Sequence, residues 1–186
     1  MSADRPSAHE LTVDDITELL TELGRRLQAE GVEATLYVVG GAAIAIELDV
    51  RRVTRDVDAI FHPATTVRAV AEAMAEERGL PPAWLSDGVR PWVPGGDTEA
   101  VPFSVPGLSV ALASPRHLLA MKLAAFRPTD KPDLELLFRA LGITRPEEAA
   151  DIAIEVYGEH HMALPSRDEL LLCSEAILAR LPEGER

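Results

Sequence analysis

Tyr37-Val38-Val39 runs into the pair Gly40-Gly41, and after a short apolar stretch the chain reads Thr54-Arg55-Asp56-Val57-Asp58-Ala59-Ile60-Phe61. The first run predicts the end of a buried strand, residues 42–48 (AAIAIEL) a short helix that starts at once, and Gly40 and Gly41 the joint between them. Without Cβ atoms the two glycines let the backbone turn sharply and let a phosphate reach main-chain N–H groups at a helix start. Side chains on a strand alternate faces, so Asp56 and Asp58 are predicted to project to one side, with Cα atoms roughly 6.6–7 Å apart. Val57, Ala59 and Phe61 then fill the core behind them. Two carboxylates so spaced can share Mg²⁺ (or Mn²⁺), a hard cation that takes oxygen ligands and completes its shell with substrate phosphates. A Gly-Gly pair alone is usually a turn, and a lone Asp-x-Asp a solvated strand end. Their order, strand, Gly-Gly, helix, Asp-x-Asp, makes the pattern specific and marks the chain as a candidate enzyme.

The rest of the chain fits around this element. A first helix is predicted from the cap Thr12, with Ile16, Leu19, Leu20, Leu23 and Leu27 on one face and Gly31 closing it. Pro63 ends the second strand, and residues 65–78 form an alanine-rich helix capped at Thr65-Thr66. Residues 79–96 (GLPPAWLSDGVRPWVPGG) are too rich in breakers for regular elements, and Trp84 and Trp92 in them either anchor the loop or wall a base pocket. A hairpin follows, residues 101–105 and 108–113, joined at Pro106-Gly107, with Pro102 favouring a sheet edge. Ser114-Pro115 starts a helical remainder: residues 116–126, 131 or 132 to 141, 146–157 behind a Thr144-x-x-Glu147 capping box, and 168–181 behind Ser166-x-x-Glu169. The expected fold is therefore α+β: a small mixed sheet with flanking helices in residues 1–113, then a helical lobe in residues 114–186.

Charge and cysteine content narrow the setting. With 31 acidic against 18 basic residues the net charge is −13, which excludes nucleic-acid binding over the whole surface and requires any RNA substrate to follow a local basic path. Arg51, Arg52, Arg55 and Arg68 could begin such a path beside the aspartates. The single Cys173, in an apolar Leu-Leu-Cys pattern, reads as a core residue of a protein in a reducing cytoplasm. No signal peptide and no membrane span is expected. Glu159-His160-His161 lacks helical ligand spacing and reads as an exposed helix end.

A second constellation begins at Lys122, a cation among apolar neighbours, with Arg127, Asp130, Lys131 and Asp133 following across the break at Pro128. Two adjoining helices could thus present an ammonium and a carboxylate together.

Gly40-Gly41 followed by Asp56-Val57-Asp58 resembles the signature of the nucleotidyltransferase superfamily, with its polymerase-beta-like fold. Fourteen residues separate Gly41 from Asp56, so residues 49–55 form a small extra loop near the site. Lys122-Leu-Ala-Ala-Phe-Arg127 with Asp130-Lys131-Pro132-Asp133-Leu134, and the phrase from Pro106 to Lys122, resemble an uncharacterised bacterial branch related to the abortive-infection type toxins of toxin–antitoxin pairs. The likeness runs over about residues 38–141. It implies metal binding by Asp56 and Asp58, a triphosphate facing Gly40 and Gly41, phosphate contact by Lys122, and Asp133, or second to it Asp130, as the late acidic residue. Arg55 joins Gly40, Gly41 and Lys122 as a nucleotide-binding candidate. The implied activity moves a nucleoside monophosphate from an NTP to an acceptor hydroxyl, foremost that of a tRNA, with a cognate antitoxin as partner. Transfer to a small molecule or protein, or a degenerate protein that only binds a nucleotide or a partner, are the alternatives. One departure stands out: the predicted hairpin strands carry no third carboxylate, so the acceptor must be activated by another acid, Asp133 first, then Asp87, then Asp97 or Glu99.

Overall fold

The computed structural model describes residues 10–182; the outermost residues of the two expected lobes, 1–9 and 183–186, lie outside the described part. Contacts divide the chain into a sheet unit, up to Val89 with Pro102–Leu112, and a helical unit, Arg90–Val101 with everything from Ala113 onward. The breaker-rich loop is thus shared: its first half belongs with the sheet and its second half with the helices.

In the sheet unit, helix α1 (Val13–Ala29) starts where Thr12 and Asp15 exchange hydrogen bonds in a capping box. Its predicted apolar stripe, Ile16, Leu19, Leu20, Leu23 and Leu27, is buried. Strand β1 (Ala34–Val38) leads into α2 (Gly40–Glu47), then β2 (Val57–His62) and α3 (Ala64–Arg78). A two-residue strand, β3 (Leu85–Ser86), follows, and β4 (Val101–Val105) and β5 (Leu108–Leu112) form the hairpin. The sheet order is β3-β2-β1-β5-β4. The central β1 pairs antiparallel with β2 and parallel with β5, so the sheet is mixed, and Pro102 sits on the edge strand where its missing N–H costs no ladder bond. Alternation along β2 is as expected: Val57, Ala59 and Phe61 are buried and the residues between them are not.

Three long-range contacts fix this unit. Trp84 is fully buried with its indole N–H donating to the Ala71 carbonyl at 2.9 Å, and its own carbonyl accepts from Val57 N. That anchor is why part of the expected loop becomes β3, parallel to β2. Helices α1 and α3 are joined by Arg26 with Glu77 and Arg78 with Glu18. Finally, α1 passes against the hairpin turn, where a Cβ on Gly24 would lie only 2.2 Å from the Pro106 carbonyl oxygen. α3 begins differently from the sequence expectation: Pro63, not Thr65-Thr66, occupies the cap position, and no side chain among the described residues caps it.

The helical unit comprises α4 (Pro115–Ala125), α5 (Lys131–Leu141), α6 (Pro146–Tyr157) and α7 (Arg167–Leu178). α4 packs against the other three, and α6 also lies against α7. Leu118, Leu119, Leu123, Leu137, Phe138 and Ile177 are buried in this core, and the small Ala149, Ala150 and Ala153 face of α6 lets it close on its neighbours. Ser114 and Ser166 cap α4 and α7 as expected. The capping box of α6 is shifted by one residue: Glu148, rather than Glu147, receives Thr144 N and Arg145 N, which holds its carboxyl below the usual range. Cys173 is half-buried rather than a core residue, because Leu170, Ser174 and Ile177 form the inward stripe of α7. Among the described residues no helix is long and apolar enough to cross a membrane.

Candidate functional site

The glycine corner stands where β1 gives way to α2. Val39 N donates to the Asp58 carbonyl at 2.9 Å, continuing the β1–β2 pairing one step beyond Val38, and Gly40 then turns with φ +65° as α2 begins. A non-glycine residue in that left-handed conformation is strained. An ideal Cβ on Gly40 would lie 3.4 Å from Asp58 Oδ2, so the corner and this carboxylate face each other directly. On Gly41 a Cβ would lie 3.0 Å from Thr54 Oγ1 and 4.0 Å from Arg52 Nη2. No side chain among the described residues caps α2, and the amides of its first turn carry the positive end of the helix dipole beside Asp58.

The segment opposite the glycines is fixed by main-chain bonds. Arg52 N donates to the Asp49 carbonyl, and Thr54 exchanges backbone hydrogen bonds with Leu11, whose side chain is buried. Thr54 Oγ1 donates to the Asp56 carbonyl at 3.1 Å. β2 begins at Val57, so Asp56 is not a strand residue as the alternation predicts; it is exposed at the end of this turn, and Asp58 is half-buried on the strand. Pairing with β3 begins only where Val57 N meets the Trp84 carbonyl, which is why the strand starts one residue late. Arg55 is exposed beside Asp56.

The carboxylates and glycines suit a hard divalent cation of the Mg²⁺ or Mn²⁺ kind. Such an ion needs one or two carboxylate oxygens from the protein and leaves its other positions to water and phosphate, and Asp58 faces a cradle that a Cβ would fill. Among the described residues no three of His, Cys, Asp or Glu gather as a metal cage, so a cation held wholly by protein ligands is not the arrangement offered.

The other candidates are each held within their own unit. Lys122 belongs to the helical unit, where its Nζ lies 2.6 Å from Asp130 Oδ1 and 2.9 Å from Asp133 Oδ2. Both acids are buried, and Phe126, at φ +34°, folds the chain back so that Arg127 N also donates to Asp130. The expected pairing of an ammonium with carboxylates from adjoining segments is therefore present, as a compact buried cluster. Asp87 lies in the sheet unit, bound through both oxygens by Arg68, whose guanidinium is 6.0 Å from the Phe61 ring centroid. Arg68 is thereby committed to a surface ion pair. Asp97 has a side chain only 5% exposed, accepts from Ser114 N at 2.8 Å and lies 3.3 Å from His117 Nδ1. Ser114 Oγ faces the same ring nitrogen at 3.3 Å, so the three do not form a relay through the two sides of the imidazole; they pin the first turn of α4. Glu99 is exposed beside this cluster. Trp92 is 61% exposed, its carbonyl accepting from the Tyr157 hydroxyl, and burial pushes that phenol up to about 12. His160 and His161 are exposed at the end of α6.

Arg52 and Thr54 are the corner residues that motif reading passes over, Arg52 having been read only as part of a basic path. Arg52, Thr54 and Asp58 are the residues of this segment that meet the glycines, and their even spacing is the only sign of it in the sequence.

Comparison with curated proteins and with solved structures gave no match. Comparison with protein families matched residues 13–138, from α1 through most of α5, and on that match the chain belongs to the family described as nucleotidyltransferase of unknown function (DUF6036).

Proposed function

We propose that the protein is a metal-dependent nucleotidyltransferase whose nucleotide site is the corner formed by Gly40, Gly41, Asp56 and Asp58. The observation that carries this reading is the approach of Asp58 Oδ2 to the Gly40 backbone at the uncapped start of α2. A phosphate entering there meets open main-chain N–H groups on one side and metal-ligating oxygens on the other. Asp56 and Asp58 would hold Mg²⁺ or Mn²⁺, and the bound ion supplies charge neutralisation on the phosphates. The glycines leave room for the triphosphate and hold it in line. An acceptor hydroxyl oxygen then bonds to the α-phosphorus, the α–β anhydride bond breaks, pyrophosphate leaves and the acceptor proton is released to solvent.

The acceptor we propose is a tRNA hydroxyl, with action as the toxin of a toxin–antitoxin pair. Support for this part is the resemblance of the Lys122–Asp133 block to the abortive-infection branch. The strands β4 and β5 carry no carboxylate, which favours a second reading: a degenerate member that binds nucleotide without turnover.

Label transfer from each α-labelled nucleotide into total RNA and lysate protein tests both. Transfer with Mg²⁺ that is lost in Asp58→Asn and Asp56→Asn, at unchanged thermal midpoint, is the expected result. Retention of near-normal transfer in either variant overturns the assigned carboxylate role. Tight nucleotide binding by calorimetry with no pyrophosphate release selects the degenerate reading.

A further inference from the structure

Residues 49–55 carry three arginines in a chain of net charge −13, and the fold treats the three differently. The Arg51 side chain is 93% exposed, with its guanidinium 3.8 Å from Asp49. Arg55 is exposed. Arg52 alone is half-buried and turned toward the corner, its Nη2 within 4.0 Å of where a Gly41 Cβ would lie. We propose that Arg52 is the phosphate-recognising residue of the nucleotide site, contacting the phosphates beyond the α position and so selecting triphosphate over monophosphate. This rests on the corner being a nucleotide site.

Three features of the molecule support the assignment. The guanidinium is a planar fork that matches two phosphate oxygens, and it stands beside amides that already favour an anion. The backbone that bears it is held in place: the Asp49 carbonyl fixes Arg52 N, and the Leu11–Thr54 bridge holds the segment on the next side. Charge is also apportioned across the corner, with the Asp58 carboxylate against Gly40 and the Arg52 cation against Gly41. A metal-bearing part of the substrate suits the first, and a phosphate remote from the metal suits the second. Thr54 Oγ1 lies 3.0 Å from the same Gly41 position and adds a hydroxyl beside the guanidinium's side of the corner.

The test is calorimetric binding of ATP and AMP, and in parallel GTP and GMP, with Mg²⁺, to wild type, Arg52→Gln, Arg52→Lys and the same-loop control Arg51→Gln. Arg52→Gln should weaken triphosphate binding about tenfold or more while monophosphate binding changes less than about twofold, the scale of a lost charge-assisted hydrogen bond. Arg51→Gln removes the same charge and should leave both within about twofold. Arg52→Lys keeps the stem and the charge without the fork and should fall between, which also separates lost recognition from a misfolded loop. Equal losses in Arg52→Gln and Arg51→Gln, or equal losses of triphosphate and monophosphate, overturn the inference and leave the nucleotide site standing. Wild type that binds neither triphosphate overturns both.

Discussion

At the scale of single residues, charge in this protein is mostly consumed locally. Glu22 shows it: its carboxylate accepts from Arg25 through two bonds and from Arg26 through a third, and these partners, Arg25 first, lower its pKa to about 2. In the unfolded chain the group titrates near its ordinary 4.5, so its contribution is present above about 4.5 and disappears as the pH falls toward about 2. Urea midpoints of wild type and Glu22→Gln should therefore differ at neutral pH and converge between pH 4.5 and 2. A gap that stays constant across that window would mean the arginines do not hold the carboxylate in the folded state. The same economy explains Lys122. Two buried aspartates hold its ammonium, an arrangement that a helix-face reading of the sequence could propose but whose burial depends on the left-handed turn at Phe126.

At the scale of elements, local signals decide where helices begin and long-range contacts decide what they meet. Thr12, Ser114 and Ser166 are legible as caps because each acts on an amide within three residues. The α6 cap is read one residue early, since both Glu147 and Glu148 stand in range and only the geometry of the turn selects Glu148. Gly24 is the clearest case of tertiary override. Alanine in the interior of α1 would gain helix propensity, on the order of 1 kcal/mol. Its methyl would meet the Pro106 carbonyl at 2.2 Å, and the turn is also short of room on its own side, where a Cβ on Gly107 (φ +77°) would lie 2.7 Å from the Gly24 carbonyl oxygen. Gly24→Ala should lower the urea midpoint, with a net loss of about 1–3 kcal/mol for overpacking against an unyielding main chain. A raised midpoint would show that the hairpin turn can retreat from α1.

At the scale of the whole molecule, an acidic chain restricts how a polyanionic acceptor can bind. Arg25, Arg26, Arg68, Arg78, Arg116, Arg145, Arg167 and Arg180 all have carboxylate partners. Beside the corner Arg55 is exposed, and Arg51, although its guanidinium lies 3.8 Å from Asp49, is almost fully exposed, so these two are placed to meet an RNA backbone. With about two phosphates neutralised, a tRNA acceptor should bind with log K against log salt sloping at roughly −1.4 to −1.8. A filter-binding titration giving a slope several times steeper would require a basic surface that this distribution does not supply. The sequence by itself determined the α+β class, the starts of α1, α4 and α7, the buried face of β2 and the succession of a glycine corner and an Asp-x-Asp segment. Those follow from periodicity and from hydrogen bonds between near neighbours. Only the tertiary structure decided that Asp58 faces Gly40, that Arg52 and Thr54 face Gly41, that Trp84 builds an extra strand and that Asp97 is buried at the start of α4. Each of these depends on segments brought together across many intervening residues, and no local pattern records which distant backbone a side chain will meet.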